Sequence, residues 1–587
     1  MSLITSKNTM LMTSAACTSE VTSTSVLDLH AYKVSAGAQG EIALTGDNLT
    51  ETVNNTAYLR LVVNGNLYRT VLHPWDPSAS ADLTFARHAH LLAVQALLDA
   101  TAAVPNGPLT TSRKIYLLAM TLATAWLQAA PPAAGGALVT GIKDTWNFDV
   151  KFGIPAGLSA KDATIWFVHA VTQLVPAIVP TFDSAALLAQ ERAWFNWTVD
   201  QQEAETTRVV RVNNWDAFKS AHDTWLAYRA TDGYNSPTAG AYVANAADIP
   251  NIATPLVVTG TADPSGNEQW TPLTLASGTT QNYLGYKWSH VLSTCLTSAD
   301  MTAMQGVAAP LFPQPAARAT EVEDVKNITA ALDDTQKVIA ELWAGGPYTC
   351  TPPGQFAWLW KDFVQRHLGA NLQVDSSFAQ VNTQVLSCLD LGVSLFEGSR
   401  VIWSIKTQYT QSRPIQEIRH RYYGTSIMSW NSASPIAAES WVPYQLDNFV
   451  TPPFADFSSG HSYFSHTFAQ CMTYWFGASI PVLPVTAVSK TQLQHLSPLF
   501  NNLQTSELEL PYATFIVGAG YSEIQPGVVP NSRVTVSFTT WDQLATQVGM
   551  SRLYGGIHCI SAHNGSVAVS DALYPLLQLR WGIQKAV

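Results

Sequence analysis

The sequence predicts a mainly α protein, a large helical bundle body with a small β-hairpin element near its N-terminus. Three observations predict it. From about residue 80 onward, apolar residues recur at three- and four-residue spacing, the period of a helix with one buried face. Hydrophobic residues make up 47% of the 587 and charged residues only 12%, which suits a large buried core and excludes a disordered chain. Between the β-like runs 58–63 and 67–72 lies Asn64-Gly65, a pair that tolerates the positive φ of a tight hairpin turn.

The helices follow in order. Leu83–Val104, Arg113–Ala130, Ala160–Ile178 and Ser184–Gln202 carry the helical period, and more helix is expected near 215–230, 319–343 and 356–367. Gly, Pro, Asn and Ser clusters separate them, notably residues 232–237 and 261–278, the latter read as a surface loop with some extended structure. Asp375-Ser376-Ser377 is a plausible N-cap for a long helix reaching about Gln411. Residues 435–453 read as a loop, a helix follows Ser459-Gly460-His461, residues 482–538 mix loops with short extended runs, and a last helical pair spans Trp541–Leu579. This divides the chain into an N-terminal segment with the hairpin (1–75), a first helical half (76–370) and a second helical half (371–587).

Composition excludes several function classes. The net charge is −11 with no basic run, so a nucleic-acid surface is not expected, and any bound anion must be held by a few local cations. The six cysteines, Cys17, Cys295, Cys350, Cys388, Cys471 and Cys559, form no CxxC pair, so they read as buried thiols rather than as a zinc or dithiol site. Residues 1–26 lack the apolar run of a signal peptide, which leaves the compartment open. The uncharged stretches 115–130 and 165–180 are shorter than the ~20 residues of a membrane span and read as core helices.

Three segments carry chemistry. In the first, Trp403-Ser-Ile-Lys406 to Arg413-Pro414, positions 403, 406, 410 and 413 share one face of a continuous helix, so Lys406 and Arg413 would point together at an anion. Alone, such a pair is more often an exposed cationic face. In the second, Pro452-Pro453-Phe454-Ala-Asp456-Phe-Ser458-Ser459-Gly460-His461, Ser459 offers a hydroxyl and Gly460 a close backbone N–H. The following helix presents its positive end, and His461 can exchange a proton. His466 lies on another part of that helix and reads as an ordinary histidine. In the third, Ser551-Arg552-Leu-Tyr-Gly555-Gly556-Ile-His558, Arg552 gives a planar fork and the glycines let the chain bend so that His558 faces the same centre as ligand or nucleophile. Together the seven residues meet the needs of a trigonal-bipyramidal oxyanion.

In order and spacing these segments resemble the superfamily that unites vanadium-dependent haloperoxidases with type 2 phosphatidic acid phosphatases and bacterial class A acid phosphatases. Its pattern is Lys-x6-Arg-Pro, Pro-Ser-Gly-His and Ser-Arg-x5-His, with Ser458 here in place of the usual Pro. The length, the long helical region before the motifs and the segment 330–354 are similar to the haloperoxidase branch. The resemblance implies a body of two four-helix-bundle-like units and a vanadate cofactor bound through His558. Lys406, Arg413, Arg552, Ser459 and the Gly460 N–H would hold its equatorial oxygens. It implies His461 deprotonating hydrogen peroxide, Lys406 polarising the transferred oxygen, and hypohalous acid halogenating small organic substrates. Homo-oligomers are compatible with it. Trp403 and Phe454 match the halide-pocket residues of fungal chloroperoxidases, but some bacterial iodoperoxidases carry them too, so the halide stays open. Relatives often carry Asp-Gly where Gly345-Gly346 stands, and His at Gln355. The acid supporting the cations must then come from elsewhere, with Asp334, Asp362 and Asp456 as candidates. Two alternatives stand beside this reading: a vanadate-inhibited acid phosphatase with a phosphohistidine at His558, and a non-catalytic anion binder with a decayed site.

Overall fold

The computed structural model describes residues 50–53, 56–63, 66–71, 80–130, 158–234, 269–275, 277–367, 376–483, 485–503 and 509–582. Near the N-terminus, β1 (Thr50–Val53), β2 (Thr56–Val63) and β3 (Asn66–Val71) form an antiparallel sheet. Val63 pairs with Asn66, as the predicted hairpin requires; Asn64-Gly65 lie outside the described residues. A third strand, β1, extends the predicted hairpin.

The body is helical. Its first part holds α1 (Ala81–Ala102), α2 (Pro108–Ala129), α3 (Ala160–Leu174), α4 (Ser184–Phe195), α5 (Val199–Val212) and α6 (Trp215–Ala230). Then come α7 (Ser298–Ala308), α8 (Pro315–Ala330), α9 (Asp334–Leu342) and α10 (Thr351–His367). The C-terminal third adds α11 (Phe378–Tyr409), α12 (Pro414–Arg421), α13 (Gly460–Phe476), α14 (Lys490–Leu496), α15 (Trp541–Tyr554) and α16 (Ile560–Trp581). The mainly α class read from sequence is the observed one. Pairs of short strands cross the loops: β4 (Ser426–Ser429) with β5 (Ser432–Ala437), β6 (Thr486–Ala487) with β7 (Glu509–Leu510), and β8 (Thr514–Val517) with β9 (Val534–Ser537).

Three predicted helices are shorter or divided, each for a local reason. The run 184–202 breaks at Asn196, which turns left-handed (φ 54°) and closes α4, while Thr198 and Gln201 form a capping box that starts α5. The run 319–343 breaks at Asp333, whose side chain and that of Gln336 cap α9 in the same way. The long helix expected to reach Gln411 stops at Tyr409, because Thr410 adopts φ 44° and Gln411 bridges to Gln269. The predicted loop 435–453 begins inside β5 instead. Residues 261–268 and 276 of the predicted loop 261–278 lie outside the described residues.

The 32-residue α11 runs through the core, about 48 Å long at 1.5 Å per residue. It packs on α2 along one side and α13 along another, and α13 in turn packs on α15 and α16. Ser377 and Gln380 cap its start with reciprocal hydrogen bonds. At Gly398 a Cβ would fall 1.9 Å from the Tyr463 ring, so only glycine lets α13 lie this close. The two uncharged stretches are core helices: almost every residue of α2 is buried, as is most of α3. Among the described residues no helix is long and apolar enough to cross a membrane. Cys295, Cys350, Cys388, Cys471 and Cys559 are free thiols, and Cys17 lies outside the described residues.

Candidate active site

The first segment reaches the site by a route other than the one predicted. Lys406 and Arg413 do not share a helical face, because α11 has ended before Arg413 and Pro414 opens α12 with Arg413 as its N-cap. The turn at Thr410 swings Arg413 back, so the two cations still meet. Lys406 Nζ donates to the carbonyls of Ala455 (2.7 Å) and Asp456 (3.0 Å), which leaves one of its three N–H groups uncommitted. Arg413 Nε donates to Phe454 O (2.7 Å) and Nη1 to Ile557 O (2.7 Å). Both cations are fully buried. The first two segments are thus tied together through backbone carbonyls of the loop before α13.

That loop ends at Ser459, the N-cap of α13, whose Oγ accepts from Ser462 N and whose backbone N–H donates to Ala562 O (2.8 Å). Gly460 and His461 are the first two residues of α13, so their N–H groups have no preceding turn to bond to. His461 is the one partly exposed member of the seven. Its Nε2 lies 3.0 Å from Trp343 O; a carbonyl only accepts, so Nε2 carries the hydrogen and Nδ1 is left as the acceptor.

The third segment closes the ring. Arg552 sits in the last turn of α15, fully buried, and its Nη1 donates to the same Trp343 carbonyl (3.0 Å). Gly556 then turns left-handed (φ 70°), and the chain brings His558 to Arg413, with Nη1 3.1 Å from Nε2. His558 Nδ1 hydrogen-bonds to Asp456. The structure therefore brings Lys406, Arg413, His461, Arg552 and His558 together from three separate segments, with Ser459 and Gly460 adjoining His461 at the start of α13.

Of the three acids considered, only Asp456 is at the site. Asp334 accepts from Asn531 N, and Asp362 pairs with Arg366 along α10. Asp456 Oδ2 receives Arg318 Nη1 (2.8 Å), and Arg318 Nε donates to Glu417 (2.8 Å). Burial alone would raise the Asp456 carboxyl, but Arg318, His558 and Arg413 together hold it below the usual range, so it is a carboxylate. Gly345, where an acid is missing, has φ +58°, and two residues earlier the Trp343 carbonyl receives both Arg552 and His461. Gln355 lies away from the cluster and donates to Leu496 O. Arg318, Glu417 and the Trp343 carbonyl were not read from sequence. Their partners lie 94 to 209 positions away and no short motif marks them.

Trp403 and Phe454 face each other across 5.0 Å between ring centroids. Lys406 Nζ lies 5.7 Å from the Trp403 ring and 5.1 Å from Phe454, and Arg413 lies 5.0 Å from Phe454. The Trp403 indole N–H is used by Leu284 O (2.9 Å), so this residue presents a ring rather than a donor.

The cluster is short of negative charge. Burial and Arg413 push Lys406 well below the usual lysine range, with Asp456 opposing. Burial lowers Arg413 to about 10, and burial with Arg413 lowers Arg552 to about 9. Burial, Arg552 and His558 keep His461 neutral, and burial with Arg413 does the same for His558 against the pull of Asp456. Arg413 Nη2 and Arg552 Nε and Nη2 are buried with no partner in the protein. Buried donors of this kind are costly unless a ligand accepts from them. Among the described residues no group of three or more His, Cys, Asp or Glu could hold a metal cation. The donor set suits a multiply charged oxyanion, and vanadate fits it: cations and N–H groups for its oxygens, one imidazole for the metal.

Comparison with known proteins finds one domain match and several similar folds. A family model described as the VCPO second helical-bundle domain matches residues 387–573. The crystal structure of an apo-type bacterial vanadium-dependent chloroperoxidase is similar, with a TM-score of 0.53, 16% identity, and 81% of this chain and 95% of that one covered. The holo-type form gives a TM-score of 0.49 at 15% identity over 81% and 93% of the two chains. The first bacterial vanadium-dependent iodoperoxidase gives 0.45 at 15% over 83% and 94%. No curated protein matches in sequence. The stretch that carries all seven residues, 387–573, thus matches the VCPO second helical-bundle domain, on a chain whose fold is shared with a bacterial vanadium-dependent chloroperoxidase.

Proposed function

We propose that the chain is a vanadate-dependent haloperoxidase that oxidises halide with hydrogen peroxide to hypohalous acid, which then halogenates small organic substrates. The observation that carries this reading is the set of three unpaired, buried guanidinium donors, on Arg413 beside neutral His558 and on Arg552 beside His461. Arg413, Arg552, the third N–H of Lys406, the Ser459 hydroxyl and the Gly460 N–H hold the anion's oxygens, and His558 supplies the ligand nitrogen. When bound, vanadate supplies a Lewis acid that activates peroxide toward halide without changing oxidation state. His461, with Nδ1 free to accept and its ring partly exposed, takes the proton from incoming hydrogen peroxide. The Trp403 and Phe454 rings border Lys406 and offer an apolar wall for halide.

The test is halogenation of monochlorodimedone by vanadate-loaded protein with peroxide and chloride, bromide or iodide from acidic to neutral pH. Turnover that is lost in His558→Ala supports the reading. No turnover with any halide, together with phosphate-ester hydrolysis inhibited by vanadate, moves the assignment to a phosphatase using the same His558.

A further inference from the structure

One nitrogen of the His558 ring has a partner that fixes its hydrogen. Nδ1 meets the Asp456 carboxylate, which can only accept a hydrogen bond. Arg413 Nη1 lies 3.1 Å from Nε2 and 3.4 Å from Nδ1, so it sits beside the ring and fixes the role of neither nitrogen. Because the carboxylate only accepts, a neutral imidazole bonds to it with the hydrogen on Nδ1, which leaves the lone pair on Nε2.

Asp456 is itself held from behind. Arg318 Nη1 donates to its Oδ2 (2.8 Å), and Cys559 N approaches the same oxygen (3.4 Å). Arg318 is fixed in turn by Glu417 (2.8 Å) and by Ser412 O (2.9 Å), and Glu417 also takes Arg421 (3.1 Å). Arg318, Glu417 and Asp456 are fully buried, so water does not compete for these bonds. The row Arg421–Glu417–Arg318–Asp456–His558 alternates in charge and ends on the ring. Arg318 lies on α8, far from the three motifs in sequence, and its only contacts at the site are with the acids and carbonyls behind the ring.

We propose that Asp456, oriented by Arg318, is a positioning residue that locks His558 in the Nδ1–H tautomer and aims its Nε2 lone pair at the anion. The rival role is plain charge balance: Asp456 would neutralise Arg318 and leave the tautomer alone. Asp456→Asn separates them. Asparagine has one acceptor oxygen and one NH2 group, and Arg318 claims the oxygen. The NH2 then faces His558 Nδ1, which must accept, and the hydrogen moves to Nε2, where it blocks the anion.

The proposal rests on the anion-pocket reading, and its test is chosen to fail separately. Protein labelled with 15N-histidine gives the tautomer of each ring, and His558 is assigned by its loss in His558→Ala. Equilibrium dialysis with orthovanadate gives affinity, and circular dichroism checks the fold. The expected result is Nδ1–H in the parent, Nε2–H in Asp456→Asn, and orthovanadate binding weakened about 10–100-fold in the variant with unchanged dichroism. Nε2–H in the parent overturns the proposal, as does an Asp456→Asn protein with the parent's tautomer and affinity. If Asp456→Asn does not fold, the parent spectrum alone decides. If the parent binds no orthovanadate, the haloperoxidase reading falls while the tautomer comparison still decides the role of Asp456.

Discussion

Arg552 shows how much of the site a short motif encodes. Its place after Ser551 and six before His558 marks it as an anion fork, and the structure buries it with Nε and Nη2 unpaired. Arg552→Lys keeps the charge but removes the planar fork, so two donors are replaced by one tetrahedral head. Losing a charge-assisted hydrogen bond costs about 1.5–3 kcal/mol, so orthovanadate affinity measured by dialysis should fall roughly 10–150-fold. An affinity within twofold of the parent would show that Arg552 does not touch the anion. The seven residues were legible because each lies in a motif of at most eight positions with its chemistry in local spacing. Asp456 was legible only as one of three acids. Choosing it required knowing that Arg318, 138 positions earlier, comes to its side. The Trp343 carbonyl was not legible at all, since a backbone oxygen leaves no mark in sequence. The shared face of Lys406 and Arg413 failed for a different reason: Thr410 adopts a left-handed cap that nothing in its neighbours demands.

Helices obeyed the apolar period in position and broke it in length. The breaks at Asn196, Asp333 and Thr410 are capping events, and caps are set by single side chains that a periodic count overlooks. Packing between helices was less legible still. Gly398 reads as an ordinary mid-helix glycine, yet the Tyr463 ring occupies the place of its side chain. Gly398→Ala must push α13 from α11 or drive Tyr463 from its bond to Ser394 O (3.1 Å). Overpacking of this kind costs about 1–3 kcal/mol, so thermal unfolding of a chain this long should shift down by roughly 1–2 °C; an unchanged midpoint would mean the two helices part without strain. Between α4 and α5, Glu191 is almost wholly buried against Gln202, and burial raises its carboxyl to about 7 despite the Gln202 hydrogen bond and Arg192. A carboxyl with a raised folded-state pKa binds its proton more tightly when folded. Stability from this group is thus full below about 4.5 and is lost as pH rises toward about 7. The loss is on the order of a few kcal/mol. Glu191→Gln should flatten the urea midpoint between pH 4.5 and 7 relative to the parent, and equal slopes in the two proteins would contradict the assignment.

The fold brings together groups that the chain keeps far apart, and this has a thermodynamic consequence. Lys406 closes α11, Arg413 opens α12, Ser459 and Gly460 open α13, and Arg552 ends α15. Lys406, Arg413 and Arg552 are buried cations, and Arg413 disfavours the charged forms of both Lys406 and Arg552. An anion seated among them would bond to four helix ends at once and remove that repulsion. It binds the folded chain and has no such site in the unfolded one, so it stabilises by RT ln(1 + [L]/Kd), about 2.7 kcal/mol at a hundredfold excess over Kd. Orthovanadate should therefore raise the thermal midpoint in a concentration-dependent way, and phosphate should do so more weakly, because it does not take an imidazole ligand. The same titration on His558→Ala should reduce the vanadate shift to the size of the phosphate shift, since only the cations and N–H groups are left to hold either anion. Equal shifts for vanadate in the parent and in His558→Ala would mean that the imidazole is not a ligand, and would point to an electrostatic anion pocket in place of a vanadate site.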